Sequence, residues 1–391
     1  MSTEAAAGSV RVDPTVLDTA RRIGKDLALY ADDVDARARF PEESFRVLRA
    51  ERLLGAMIPT ELGGLGATLP QVAEVITELG RHCASTAMIF AMHQIQVACL
   101  ARHGHSEPMQ AFLADVARDQ LLLASATTEI GIGGNVRTSS CAVEVDAGTY
   151  RLVKVAPVIS YGQYADAVLT TARRSPQSPP NDQSLVVCRA ADVHLEPISG
   201  WDTLGFRGTC SLGFELRAAG SVDDIFDESY GDISAQTMLP TSHVVWTSLW
   251  LGIALGAYAK ARDFVQAAAG AKPGTTPPSA MRLAELAVVV QQLSESVRGL
   301  TRRYAEVADD PDQTSMLSFA VAMNSLKVSA SSLVVEIVGG AMLICGIAGY
   351  KSDSPYSLGR PLRDAYGAAL MVNNDRILSN NAQLLLLQRD H

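Results

Sequence analysis

The sequence has few basic residues for its size, and they are not clustered. Lysine and arginine together number 33 against 42 aspartates and glutamates, which gives a net charge of −9 over 391 residues. A protein that binds the phosphate backbone of a nucleic acid needs the opposite balance, usually concentrated in one patch. Nucleic acid is therefore not an expected partner, and an anionic small molecule would need its own local basic pocket.

Cysteines with metal-site or redox spacing are also absent. The six cysteines are scattered along the chain without a CxxC motif, so we expect neither a disulfide framework nor a metal site. The first residues, MSTEAAAGSVRVD, lack the basic and apolar regions of a secretory signal. These features predict a cytoplasmic protein with reduced cysteines.

Uncharged apolar runs of membrane-spanning length are missing as well. The stretch WTSLWLGIALGAYA stops near 14 residues, whereas a spanning helix needs about 20. This stretch fits a buried helix better, and we expect no membrane partner.

Three segments with different periodicity are present. The first carries helical patterns such as CASTAMIFAMHQIQVACLARHG, which is apolar on nearly all sides. Short alternating runs such as TYRLVKVAPVIS follow, and long helices with apolar residues at every third or fourth position come last. The pattern predicts an α+β fold that is mainly α, with an N-terminal helical domain (1–120), a mostly antiparallel β domain (121–232) and a C-terminal helical bundle (233–391).

Four motifs in this order resemble those of the acyl-CoA dehydrogenase superfamily. FPEESFRVLRAERLLGAMIPTELGGLGATL is similar to its N-terminal segment, and ATTEIGIGGNV is similar to its T-E-P-G-A-G-S-D loop. LGFRGTCS resembles M-G-x-R-x-T-x-S, and CGIAGYKSDSPYSLGRPLRDA resembles the segment that leads into its R-D-A motif. The resemblance covers nearly the whole chain, and it implies an FAD bound between the β domain and the C-terminal bundle.

The resemblance implies one set of flavin contacts in the β domain. Thr127 and Thr128 end a predicted strand before a glycine-rich loop, the place that meets the flavin pyrimidine ring in the family. Ser160 falls at the family's threonine beside flavin N5, and Val158 falls at the tryptophan that flanks the ring. The alternatives are an ordinary strand end for the threonines and a plain core strand for Val158.

The resemblance implies a second set of contacts in the C-terminal bundle. Gly346 and Gly349 remain from the family's glycine-rich segment, and Asn373 with Asn374 would lie on the other side of the flavin. The arginine that reaches the pyrophosphate in the family is missing, and only Lys272 lies nearby. Because a pyrophosphate needs cationic or N–H donors, FAD is the expected cofactor and FMN is conceivable.

The catalytic glutamate of the family is missing. Counting from the R-D-A motif places Val372 at its position, and the alternative position on the first long bundle helix holds Trp246. Asp375 is one candidate base, although an aspartate before an apolar run also suits a helix N-cap. His93 is a second candidate that could face the flavin, although a lone histidine on a buried helix is more often a core residue.

Three functions remain open at this stage. The leading interpretation is a flavin-dependent oxidoreductase that acts on an acyl or aminoacyl thioester, carried by coenzyme A or a carrier protein, with a non-standard base. The second is a flavin-dependent monooxygenase of the same fold, in which Ser160, His93, Asn373 and Asn374 supply hydrogen bonds. The third is a scaffold subunit without catalysis. Because the family builds its cofactor site across subunits, we expect a homodimer or homotetramer.

Overall fold

The structure, a computed structural model, describes residues 14–132 and 135–387. The first part contains the helices α1 (Pro14–Arg37), α2 (Glu42–Ala50), α3 (Leu69–His82), α4 (Ala84–His103) and α5 (Glu107–Asp119). Helix α3 begins with a capping box, in which the side chains of Thr68 and Gln71 each accept the backbone N–H of the other residue. This local signal fixes the start of the helix that the sequence predicts near Pro70.

Two small sheets form the described β region between Leu123 and Ser221. Their strand orders are β1–β4–β5 and β2–β3–β7–β6. The strands are β1 (Leu123–Ala126), β2 (Glu144–Asp146), β3 (Thr149–Ala156), β4 (Ala167–Arg173), β5 (Gln183–Arg189), β6 (Val193–Ser199) and β7 (Gly213–Ser221). Among these strands β1 and β4 pair in parallel, and the other pairings are antiparallel. Strand β3 alternates exposed and buried residues, whereas β4 and β5 are almost entirely buried because their sheet contacts both α4 and the second sheet.

Helices resume at Tyr230 and form the C-terminal bundle. They are α6 (Tyr230–Ile233), a π-helical turn (Ser234–Met238), α7 (Leu239–Ala271), α8 (Ala280–Val307), α9 (Pro311–Thr314), α10 (Leu317–Cys345), α11 (Ile347–Tyr350), α12 (Gly359–Tyr366) and α13 (Asn374–Leu387). Helix α7 is central, because it packs against α10 and α8 within the bundle and against α3 and α4 of the first part.

The observed arrangement confirms the predicted fold class, with helices, then strands, then a helical bundle. The predicted limit at residue 120 lies between the end of α5 at Asp119 and the start of β1 at Leu123. The predicted limit at residue 232 lies within α6 (Tyr230–Ile233). As limits of separate domains, they stay predictions.

Three helices are longer and more apolar than the sequence analysis expected. By length and composition alone, Ala84–His103, Tyr230–Ala271 and Leu317–Cys345 could each cross a membrane. The expectation that no run reaches this length is therefore wrong, because the few polar residues in these helices do not offset their apolar neighbours. Each of these helices contains an 18-residue window that is apolar enough to span a membrane. The buried share of that window is 89% in Ala84–His103, 67% in Tyr230–Ala271 and 44% in Leu317–Cys345. The exposed positions in the middle of α10 are Ser325, Ser329, Ser332 and Glu336, and large apolar side chains are exposed only at its ends, at Leu317 and Leu343.

Helices α3 and α7 touch backbone to backbone at two glycines. A Cβ atom at Gly252 would lie 2.2 Å from the carbonyl oxygen of Thr77, and one at Gly80 would lie 2.8 Å from the carbonyl oxygen of Leu249. The Thr77 hydroxyl also donates a hydrogen bond to the Ser248 carbonyl at 3.1 Å. This contact fixes the first helical part against the C-terminal bundle.

We expect Gly252→Ala to lower the free energy of unfolding by about 1–3 kcal/mol, the usual cost of overpacking a rigid contact. Gly270→Ala on the same helix is the matched control, because a Cβ there meets nothing within 4 Å and alanine favours the helix. Urea unfolding of both variants measures the effect. Equal stabilities of the two variants would contradict the close helix contact.

Candidate flavin site

An irregular segment after β3, residues 158–161, presents backbone donors that have no partner in the described residues. Its alternate residues pair with the chain before β7: the N–H of Ile159 donates to the Leu212 carbonyl, and the N–H of Tyr161 donates to the Thr209 carbonyl, both at 2.8 Å. The intervening N–H groups of Val158 and Ser160 have no hydrogen-bond partner in the described parts of the chain. Val158 and Ile159 lie outside helices and strands, and Ser160 begins a turn in which Tyr161 is left-handed with a φ of +44°. Two donors of this segment are therefore left without a bond to the chain before β7.

The two threonines that follow β1 lie beside this segment. The Thr128 hydroxyl donates to the Val158 carbonyl at 3.2 Å, which ties the end of β1 to the irregular segment. Thr127 and Thr128 are both half-buried, and so is Val158, whereas Ser160 is buried with 9% of its surface exposed. The structure thus brings Thr128 into contact with Val158, places Thr127 next to it in the chain, and puts Ser160 on the same segment.

These groups suit a flavin ring. The ring offers carbonyl oxygens that accept hydrogen bonds, an imide N–H that donates one, and a nitrogen, N5, that changes character on reduction. The N–H groups of Val158 and Ser160 are donors for such oxygens, and the Thr128 oxygen can still accept because its hydrogen is used by Val158. When bound, a flavin would supply the two-electron chemistry that these side chains lack. The donor set at this edge therefore fits the implied cofactor.

His93 does not face this site. Its Nε2 lies 2.7 Å from the Leu54 carbonyl, and its Nδ1 accepts the N–H of Leu123 at 3.0 Å. The side chain is fully buried, and burial lowers its pKa to about 4. Both ring nitrogens are used, so the proposal that His93 serves as a catalytic or flavin-contacting residue is wrong. It is a neutral structural group that joins α4 to the first strand.

Asp375 lies in the first turn of α13, exposed to solvent. Its backbone N–H donates to the Asn373 side-chain oxygen at 2.7 Å, so Asn373 is the residue that caps this helix. An aspartate in a first turn is favourable because the N-terminus of a helix carries partial positive charge. This position explains Asp375 without chemistry, and its role as a base remains a prediction.

Lys327 is the group near this region that the sequence analysis missed. This lysine on α10 is completely buried, and its Nζ donates to the Val372 carbonyl and to the Asn374 side-chain oxygen, each at 2.7 Å. Asn374 also donates to the Ser331 hydroxyl at 3.0 Å, so its amide faces α10. Val372 itself has a φ of +48°, which a β-branched residue rarely adopts. A cation thus holds a strained turn at the position of the missing glutamate.

No carboxylate in the described residues lies within ion-pair distance of Lys327. Burial lowers the pKa of its ammonium group from 10.5 to about 8. The nitrogen also lies 5.6 Å from the centre of the buried Trp250 ring, a weak cation–π contact. The two hydrogen bonds match the two hydrogens of the neutral amine, so loss of one proton leaves the turn held.

His243 on α7 is a second base that the sequence motifs do not indicate, because the resemblance points to an acid at this place. It lies one turn before Trp246, and the two rings are 6.3 Å apart. Its Nδ1 lies 3.1 Å from the Met323 carbonyl, which fixes that nitrogen as the N–H donor. Its Nε2 has no partner in the described part of the chain. Burial lowers the pKa of His243 to about 4, so this nitrogen carries a free lone pair at neutral pH.

Gly346 and Gly349 lie far from the residues with which they were grouped. Gly346 follows the last residue of α10 with a φ of +57°, and 19 positions separate it from Lys327. At a rise of 1.5 Å per residue this is about 28 Å. Because Asn374 is bonded to Lys327, the glycines and the two asparagines cannot contact one flavin ring in the same chain. A flavin that meets both groups would have to take them from two subunits, and this grouping stays a prediction.

The comparisons with known proteins agree with this fold. Residues 15–120 match the family described as "Acyl-CoA dehydrogenase, N-terminal domain". The chain is 26% identical over 369 residues to cyclohex-1-ene-1-carbonyl-CoA dehydrogenase from Geobacter metallireducens, covering 92% of this chain and 94% of that protein.

Two solved structures show the likeness over the whole fold. FMN-bound TdsC from Paenibacillus sp. A11-2, a dibenzothiophene monooxygenase, superposes with a TM-score of 0.84 at 20% identity, covering 96% of this chain and 98% of that one. Butyryl-CoA dehydrogenase from Megasphaera elsdenii superposes with a TM-score of 0.80 at 18% identity, covering 99% and 100%. Residues 15–120 therefore carry the N-terminal domain of the acyl-CoA dehydrogenase family, and the whole chain has the fold of these enzymes. The sequence relatives are named dehydrogenases and the structural neighbours include a dehydrogenase and a monooxygenase, so the chain is similar over its length to flavin-dependent oxidoreductases.

We expect the stability of the protein to depend on pH through Lys327. The folded-state pKa near 8 lies below the unfolded value of 10.5, so the unfolded chain binds more protons between these values. Burial of the charged form therefore costs no free energy of unfolding above pH 10.5, and this cost reaches its full size as the pH falls through 8. In urea unfolding between pH 8 and 10.5, the slope of the unfolding free energy against pH should be more positive in the wild type than in Lys327→Met, because buried cysteines with raised pKa values contribute equally to both.

The exposed Lys351 provides the control for that measurement. Its side chain is 59% exposed beside Asp353, and Lys351→Met should keep the wild-type slope of unfolding free energy against pH. If the slope of unfolding free energy against pH is the same in Lys327→Met as in the wild type, Lys327 does not have the lowered pKa that its burial implies.

Proposed function

We propose that the chain binds a flavin, with FAD first and FMN as the alternative, at the edge formed by Val158 and Ser160. The observation that carries this proposal is the pair of backbone N–H groups without partners, next to the Thr128 hydroxyl. Buried or half-buried donors in proteins are rarely left unpaired. A planar ligand with carbonyl oxygens along one edge would satisfy both donors at once.

We propose further that the reaction is the dehydrogenation of an acyl or aminoacyl thioester, on coenzyme A or on a carrier protein. The names of the sequence relatives, which are acyl-CoA dehydrogenases, support this choice. Loss of the α-proton needs a base within hydrogen-bond reach of that proton. Asp375 is the candidate from the sequence, and the free Nε2 of His243 is the candidate from the structure.

A flavin-dependent monooxygenase is the second candidate, and the Val372 turn favours it. Where the resemblance places the family's glutamate, this chain has a valine, and the charged group bonded to this turn is the Lys327 ammonium rather than a carboxylate. Activation of oxygen on a reduced flavin does not need that carboxylate. The structural neighbour TdsC is named a monooxygenase, and this likeness supports the same possibility for this chain.

Anaerobic mixing of the flavin-loaded protein with a panel of acyl-CoA thioesters tests the reaction. We expect one or more thioesters to bleach the flavin absorbance, and we expect His243→Gln or Asp375→Asn to slow the bleaching by at least tenfold while flavin stays bound. The variant that slows it identifies the base.

Other outcomes of this experiment assign the alternatives. Bleaching by no thioester, together with oxygen consumption after chemical reduction, would move the assignment to the monooxygenase. A wild-type protein that takes up neither FAD nor FMN would support the scaffold subunit. Bleaching at the wild-type rate in both variants would exclude both bases.

We also propose a homodimer or homotetramer, assembled through the uncovered end of α10. Leu343, Ile347 and Tyr350 are 69%, 74% and 77% exposed in one chain, next to Gly346 and Gly349. Such an apolar patch on a single chain marks an interaction surface. A partner that covers it would bring the two glycines to the cofactor of the neighbouring subunit.

We expect Ile347→Glu to shift the protein toward monomers, because the added charge would be buried at this surface. Val145→Glu on β2 is the control, since Val145 is equally apolar and 60% exposed on another face. Sedimentation at micromolar concentration measures the change. A wild-type monomer, or equal masses for the two variants, would contradict assembly through α10.

A further inference from the structure

A line of three hydroxyl groups runs from Ser160 into the β domain. The Ser211 hydroxyl donates to Ser160 Oγ at 2.8 Å, and Thr209 Oγ1 lies 2.8 Å from Ser211 Oγ. Thr209 Oγ1 is also 2.8 Å from the Phe206 carbonyl oxygen. Thr209 and Ser211 are buried, whereas Ser160 keeps a small exposed surface. The line therefore connects the candidate flavin edge to the interior.

The number of hydrogens fixes the direction of these bonds. Each hydroxyl has one hydrogen, and Ser211 uses its hydrogen on Ser160. Ser211 has no hydrogen left for Thr209, so the single Thr209 hydrogen is shared between the Phe206 carbonyl and Ser211 Oγ, each at 2.8 Å. The Phe206 carbonyl also accepts the Trp201 indole N–H and the Thr209 backbone N–H, each at 3.1 Å.

The same count leaves the hydrogen of Ser160 unused. Ser160 Oγ accepts from Ser211, and no acceptor for its own hydrogen exists in the described residues. A hydroxyl that accepts one hydrogen bond also becomes a better donor, because hydrogen bonds in a line polarise one another. Ser160 is thus oriented as a donor toward the open side of the segment.

We propose that Ser211, backed by Thr209, is a positioning residue that fixes Ser160 as a hydrogen-bond donor to the flavin and thereby lowers the flavin's midpoint potential. This inference rests on the proposed flavin site. The nitrogen N5 of an oxidised flavin has a lone pair and accepts a hydrogen bond, whereas reduction adds a hydrogen there. A fixed donor therefore favours the oxidised form, and a freely rotating hydroxyl serves both forms.

Ser211→Ala tests the proposal. Without Ser211, Ser160 can turn and accept the N–H of the reduced flavin, so the ratio of reduced-flavin to oxidised-flavin affinity should rise threefold to tenfold. For a two-electron couple this is a rise of about 15–30 mV in midpoint potential. The measurement is an anaerobic spectrophotometric titration of the flavin-loaded protein against a reference dye.

Two controls separate positioning from a general structural effect. Ser184→Ala removes another buried hydroxyl of the β domain, one without a hydrogen-bond partner in the described residues, and should leave the potential unchanged. In a Ser160→Ala background, Ser211→Ala should have no further effect, because the residue on which it acts is gone.

The outcomes distinguish this inference from the proposed function. A wild-type protein that binds no flavin overturns both. Flavin binding with an unchanged potential in Ser211→Ala, or with a shift that persists in the Ser160→Ala background, overturns the positioning role and leaves the flavin site intact. A rise that requires Ser160 supports it.

Discussion

The alternate pairing of the segment from Val158 to Tyr161 is the constraint on which the site depends. Ile159 and Tyr161 are bonded to the chain before β7, whereas the N–H groups of Val158 and Ser160 have no partner in the described residues. The Thr128 bond to Val158 and the Ser211 bond to Ser160 hold this segment from both sides. A single edge thus presents two amide donors and a hydroxyl whose direction is set from behind, which is preorganisation of the kind that ligand sites need.

The resemblance to the family places its catalytic glutamate at Val372 of the C-terminal bundle. The turn that carries this valine is held by the buried ammonium group of Lys327. A cation with a lowered pKa and no ion-pair partner among the described residues is costly to bury, and the hydrogen bonds to the Val372 carbonyl and to Asn374 offset part of that cost. The free Nε2 of His243 lies on the neighbouring helix, and Lys327 helps to keep this imidazole neutral.

The sequence supported the fold and the β-domain part of the site because both depend on local signals. Strand ends, the glycine-rich loop and the hydroxyl at residue 160 can be recognised from short motifs. His93 could not be judged in this way, since its partners Leu54 and Leu123 lie 39 and 30 positions away. Lys327 looks like an ordinary helix lysine until α13 is packed against α10. The separation of Gly346 from Asn374 follows from the length of α10, and the sequence analysis overlooked it.

Residue-resolved amide hydrogen exchange during titration with FAD tests the central claim most directly. Binding at this edge should slow exchange of the Val158 and Ser160 amides, which are unpaired in the structure. The already bonded amides of Ile159 and Tyr161 should change much less. Flavin binding that leaves the Val158 and Ser160 amides at their original exchange rates would contradict the account.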